Sequence, residues 1–219
     1  VNSTDRLVEL LTEAFWETLH IVSVAGLWTL VGGLLLGTLL YITSKTGPKP
    51  IAVVNAPLGL IVNIGRSAPF VLLMVAVVPL TRLIAGTSIG TEAAIVPLTV
   101  ASIPFFARLV EGALLEVQPG LIEAARAMGA STPALVWRVV LPEATPGLIR
   151  GFTVTLVAVV SYSAMAGIVG GGGLGDLAYR YGYQRFETEY MIWPLVILVV
   201  LVQLFQILGD RCARTLDRR

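Results

Sequence analysis

The chain has 219 residues, of which 56% are apolar and only 13% charged, and its mean hydropathy is +0.84. A soluble domain carries about 25% charged residues, so these proportions exclude a water-facing globule of this size and suit a lipid-embedded one. A formal net charge of +1 excludes a strongly basic nucleic-acid binder, while one cysteine (Cys212) and one histidine (His20) exclude an internal disulfide and leave no metal-ligand set.

Residues 1–17 are polar and acidic and lack the basic n-region and small-residue cleavage site of a signal peptide. Asp5, Glu9, Glu13 and Glu17 recur every four residues, on one face of a helix; that face is either simply solvated or an acidic strip for an extracytoplasmic partner. A span needs about 20 mainly apolar residues, and residues 18–43 supply the first. Gly33 and Gly37 within it are spaced for close helix approach, which matters where lipid gives helices no hydrophobic reason to associate.

The second span, 56–80, is apolar with a first half disturbed by Asn63, Arg66, Ser67 and Pro69. A charge there costs about 2.5–3.5 kcal/mol even on lenient insertion scales. Arg66 therefore either snorkels to the interface or braces a helix interface or polar pathway, and Arg66 or Ser67 can satisfy the carbonyl that Pro69 frees. The third span, 93–107, is short and extends on both sides.

The segment 108–147 is the longest between spans, and its pattern is helical. Pro119 suits a first helical turn and Gly129 a C-terminal cap. Between them Leu121, Ile122, Ala125 and Met128 line one face, with Glu123 and Arg126 on another. Ser131 can cap a second short helix, and Pro142 and Pro146 are expected to break the chain before the fourth span, 148–169. Residues 170–175 hold five glycines; they follow a membrane helix and precede no Lys-Ser/Thr, so they read as a flexible turn rather than a phosphate loop. Residues 191–209 form the fifth span. The expected fold is a single all-α, polytopic membrane bundle over 1–219.

Five spans put Lys45, Lys49, Arg108, Arg126, Arg138, Arg150, Arg211, Arg214, Arg218 and Arg219 on one side of the membrane. Arg6, Arg82, Arg180 and Arg185 fall on the other. Lys and Arg favour the cytoplasmic side, so the N-terminus is expected outside and the C-terminus in the cytoplasm.

Glu123-Ala124-Ala125, three residues, Gly129, nine residues, then Val139-Val140-Leu141-Pro142 resembles the EAA loop of type I ABC-importer permeases, with Val139 where that motif usually has Ile. Small Ala124 and Ala125 permit close approach, and Glu123 can anchor by a charge-assisted bond. The resemblance implies a coupling helix that docks on an ATPase subunit through Glu123, Ala124, Ala125, Arg126, Met128, Gly129, Leu141 and Pro142. No Gly-x-x-x-x-Gly-Lys-Ser/Thr occurs, so ATP and Mg are expected on that partner and no cofactor in this chain.

Further stretches, among them Trp16-Glu17-Thr18-Leu19, Arg66-Ser67-Ala68-Pro69-Phe70, Gly86-Thr87-Ser88-Ile89-Gly90 and Tyr162-Ser163-Ala164-Met165, look like the methionine-importer permease family. Ala68 departs from the larger aliphatic residue expected there. That resemblance implies a homodimer in a bacterial cytoplasmic membrane with two ATP-binding cassette subunits and an extracytoplasmic binding lipoprotein. Its expected cargo is L- or D-methionine; another amino acid or small organic solute in the same architecture, or a passive channel, is the alternative. Tyr162, Ser163 and Met165, with Arg66 and Ser67, are the candidate pathway residues, because small and adaptable groups cluster late in span four and a flexible thioether suits a closing contact.

Overall fold

The computed structural model describes residues 3–216, and every regular element among them is helical. Helix α1, Ser3–Thr43, runs unbroken from the acidic N-terminal segment through the first span. Its end is a tight turn in which the Ser44 hydroxyl donates to the Tyr41 carbonyl at 2.8 Å and the Gly47 N–H to the Ser44 carbonyl at 3.1 Å.

Helix α2, Ala52–Ser67, is followed by α3, Phe70–Ala76, bent by 110° from it. Pro69 supplies no N–H and forces Ala68 into an extended conformation (φ −69°, ψ 128°). The disturbance expected in the first half of this span is thus a break at its centre: Asn63 sits inside regular helix, and the chain turns only at 68–69. Helix α4, Val78–Ala85, ends on left-handed Gly86 (φ +72°).

Helix α5, Thr91–Leu115, is the centre of the bundle, buried along most of its length despite Pro97 and Pro104. Alpha1 lies against it through the predicted glycine pair. A Cβ on Gly33 would stand 2.6 Å from Phe106 Cδ1, and one on Gly37 would stand 2.6 Å from Val110 Cβ and meet the Ala107 carbonyl oxygen. Alpha2 packs on α5 where Gly65 meets Pro104, at 2.8 Å from a built Cβ. These absent side chains allow the dense contact that holds helices together when the hydrophobic effect cannot. Two apolar layers result. One gathers Ile21, Val22, Ala25, Leu98, Val159 and Val160; the other gathers Tyr41, Phe106, Val110, Leu114, Ala125 and Val140.

Helix α6, Pro119–Ala127, precedes α7, Thr132–Leu135, which passes through a π-helical segment, Val136–Val140, into α8, Leu141–Ile168. The break expected at Pro142 and Pro146 does not occur. The Leu141 N–H reaches back five residues to the Val136 carbonyl, and this π turn absorbs the register change. Pro142 then falls in the first turn of α8, where a missing N–H costs little.

The glycine-rich turn is not loose either. Gly170, Gly172 and Gly173 adopt φ of +87°, +74° and +76°, and the chain folds back into α9, Gly173–Leu177. The Glu17 carboxylate accepts the Gly173 N–H at 2.7 Å, the Thr18 hydroxyl accepts the Leu174 N–H at 2.9 Å, and the Gly170 carbonyl accepts the Gly90 N–H at 2.8 Å. Glu17 therefore leaves the proposed acidic strip and serves as an internal clasp. Nearby, His20 Nε2 on an exposed face midway along α1 and Glu92 Oε1 in the first turn of α5 lie 2.9 Å apart. A second π segment, Ala178–Tyr183, leads to α10, Thr188–Leu216, which packs on α8 where Gly209 faces Thr153.

Four helical runs are long and apolar enough to cross a membrane, and the bent α2–α3 pair makes five if it counts as one span.

Candidate functional site

The segment 108–147 folds into an elbow beneath the bundle. Pro119 occupies the first turn of α6, as its fixed φ favours. At the other end the Gly129 N–H bonds to the Arg126 carbonyl at 2.9 Å and the Ala130 N–H to the Ala125 carbonyl at 3.0 Å. With Gly129 at φ +83°, this is a Schellman cap. A Cβ on Gly129 would touch nothing within 4 Å, so the backbone twist alone selects glycine there. The Ser131 hydroxyl then accepts the Ala134 N–H at 3.5 Å.

Of the four residues expected on the inward face of α6, two face inward. Ala125 is buried and Ile122 packs beside it against the layer around Tyr41 and Phe106. Leu121 is exposed and Met128 is 83% exposed; the two lie seven apart on one edge of the helix, and that edge is turned away from the bundle. Glu123 and Ala124 are also exposed, so α6 presents a carboxylate flanked by small and apolar groups. Leu141 is half-buried and Pro142 exposed; behind them a cavity of about 480 Å³ is lined by Leu121, Arg138, Pro142, Glu143, Arg150 and Leu216, among others. Arg126 turns away from this outward surface, and its Nη2 donates to the Pro48 carbonyl in the α1–α2 turn at 2.8 Å.

The pathway candidates divide. Tyr162 is half-buried, with its ring stacked on Phe70 at 4.6 Å between centroids and 8° between planes. That stack sets late α8 against the bend that carries Arg66 and Ser67, both exposed at the end of α2. Met165 is 39% exposed. Ser163, by contrast, is 5% exposed, and its hydroxyl donates to the Val160 carbonyl at 2.8 Å; it faces the bundle interior, not an open surface.

The structure also assembles polar contacts that spacing alone did not reveal. Arg108 Nη1 pairs with the Glu111 carboxylate, and its Nη2 and Nε donate to Asn63 Oδ1 at 2.9 and 3.3 Å. Asn63 had stood out as a polar residue in a span, and Arg108 and Glu111 are three apart on one helix face; their junction across 45 residues needed the fold. Asn55 Nδ2 similarly donates to the Leu40 carbonyl at 2.9 Å and to Thr43 Oγ1 at 3.0 Å.

The chain is thus a bundle of helices apolar enough to cross a membrane, with an exposed, sharply capped elbow at one end. Residues 33–219 match the family described as binding-protein-dependent transport system inner membrane component, and the chain belongs to that family. It is 53% identical over 211 residues to the probable D-methionine transport system permease protein MetI of Vibrio cholerae, covering 96% of this chain and 94% of that one. It is 49% identical over 216 residues to the D-methionine transport system permease protein MetI of Escherichia coli K12, covering 99% and 100%. Among solved structures, an inward-facing form of the MetNI methionine ABC transporter superposes with a TM-score of 0.95 at 49% identity over the full length of both chains. An amino acid ABC transporter with histidines shares the fold, with a TM-score of 0.80 at 19% identity.

Proposed function

We propose that this chain is the membrane-spanning subunit of an ATP-driven importer of methionine, working as a homodimer with two ATP-hydrolysing subunits and an extracytoplasmic binding lipoprotein. The observation that carries the reading is the elbow. An exposed Glu123 beside Ala124, on a helix ended by the Gly129 cap, has the shape of a peg for a groove on another protein. The methionine cargo rests on the relatives, which match this chain along nearly its whole length.

In this reading the ATPases bind ATP and Mg, close, and displace the paired elbows. The elbow's second helix, α7, runs through the π turn into α8, so displacement of the elbow reorients late α8, where Tyr162 and Met165 border the substrate's path. The outer face opens while the inner face is shut, and the cargo crosses near the two-fold axis. The distribution of Lys and Arg supports an orientation with the elbow and the C-terminus in the cytoplasm and the N-terminus outside.

The test is ATP-dependent uptake of labelled L- and D-methionine in proteoliposomes containing this chain, its ATPase and its binding protein. Saturable uptake that disappears without ATP or without the binding protein is expected. ATPase stimulation by the binding protein with no methionine uptake would keep the importer and assign it another small solute. Ion or solute leak independent of ATP would make it a channel.

A further inference from the structure

We propose that Arg126 is a positioning residue for transport, tying the coupling helix α6 to the permease's own α1–α2 turn so that a displacement of α6 is delivered to α2 through the Pro48 carbonyl. This rests on the reading that α6 docks on an ATPase, and it gives one residue of that helix a different addressee. The bond spans 78 residues of sequence at 2.8 Å, and a guanidinium donating to a backbone oxygen is of the stronger, charge-assisted kind. Among the described residues it is the one side-chain hydrogen bond between α6 and the α1–α2 hairpin. The packing of Ala125 and Ile122 beside it is apolar and offers no directional hold.

The turn that receives the bond is stiff. Pro48 lies between Gly47 and Lys49, and a Cβ at Gly47 would strike the carbonyls of Tyr41 and Ile42. The Lys49 N–H bonds to the Ile42 carbonyl and the Ile51 N–H to the Thr43 carbonyl, each at 3.1 Å, and Asn55 locks the first turn of α2 to Leu40 and Thr43. A pull at Pro48 therefore moves the end of α1 and the start of α2 together. Helix α2 carries Asn63, bonded to Arg108, and ends at Arg66 and Ser67 beside the bend. The Tyr41 hydroxyl, buried near the end of α1, has no hydrogen-bond partner among the described residues.

The experiment uses the full complex in proteoliposomes, with uptake and ATP hydrolysis measured on the same preparation. Arg126→Ala is expected to lower methionine transported per ATP hydrolysed by roughly tenfold, as loss of a charge-assisted bond implies, while binding-protein-stimulated hydrolysis persists. Arg126→Lys, which can still donate to one carbonyl, is expected to recover part of the coupling. Independently, in a Cys212→Ser background, spin labels at Lys49→Cys and Ala127→Cys should keep one separation in the nucleotide-free and vanadate-trapped states, and should part company between those states when Arg126→Ala is added. Unchanged transport per ATP in Arg126→Ala overturns the proposal, as does a label separation that changes through the cycle in the presence of Arg126. Loss of hydrolysis together with uptake in an assembled Arg126→Ala complex also overturns it, by placing Arg126 on the ATPase. If Glu123→Ala with Gly129→Ala leaves transport normal, the docking reading of α6 is what has failed.

Discussion

Replacing Gly37 by Ala should destabilise the bundle, whereas the same change at Gly112 should not. A Cβ on Gly37 would stand 2.6 Å from Val110 Cβ and run into the Ala107 carbonyl oxygen, neither of which can swing aside. Reaching an ordinary 3.4 Å contact with both means separating α1 from α5 by about 1 Å at that level. A gap of 0.5–1 Å forfeits roughly a quarter to a half of each dispersion contact along the seam, and overpacking of this kind costs about 1–3 kcal/mol. Gly33→Ala should cost less, because the obstacle there is the Phe106 side chain. Gly112 lies in the same helix α5 with nothing within 4 Å of a built Cβ, so Ala there gains about 0.5–1 kcal/mol of helix stability. Thermal unfolding of the purified permease in one detergent should rank Gly37→Ala below Gly33→Ala below the parent, with Gly112→Ala at or above it. The Gly37→Ala deficit should be roughly 2–12 °C. Equal melting of the Gly37→Ala and Gly112→Ala variants would refute the idea that the α1–α5 seam is set by close backbone approach.

Three further outcomes are expected. Glu111→Gln strips Arg108 of its charge partner at a site where the two side chains are 29% and 10% exposed; the loss is about 1–3 kcal/mol, below the fully buried case because water reaches Arg108, and Arg108→Met with Glu111→Leu should recover part of it in the same melting assay. Gly129→Ala forces an L side chain into φ +83° at about 1–2 kcal/mol, so uptake should fall while membrane insertion, read by protease protection of the C-terminal tail, is unchanged. Met165→Ala should alter uptake or ATP-independent methionine leak in proteoliposomes; unchanged values of both would remove Met165 from the pathway.

Composition and periodicity made an all-helical membrane bundle legible, and the elbow's two caps were readable because Pro119, Gly129 and Ser131 each act on local backbone geometry. What escaped is what local rules cannot carry. Pro142 and Pro146 are helix breakers by propensity, yet the π turn just before them let the helix continue, and no local rule announces such a turn. Five glycines suggested a slack turn, but two side chains from α1 hold it through hydrogen bonds spanning 156 residues. Leu121 and Met128 were grouped with Ala125 by helical period, but the edge they share is turned away from the bundle, which depends on how α6 docks. Ser163 was grouped with its neighbours by sequence proximity, while on the helix it points to the opposite side from Met165.

The clasp between α1 and the glycine turn also bears on how the protein is made. Helix α1 leaves the ribosome before α5 and α9, and Glu17 and Thr18 find the N–H groups of Gly173 and Leu174 only 156 residues later. Its glycine seam with α5 can close earlier, once residue 110 has been inserted. Biogenesis thus has two separate closing events on one helix, and between them the Glu17 carboxylate waits at the membrane surface without its backbone partner. A chain stalled or truncated before residue 173 should keep the α1–α5 pair and lack this clasp, so the two closures on α1 are separable by where synthesis stops.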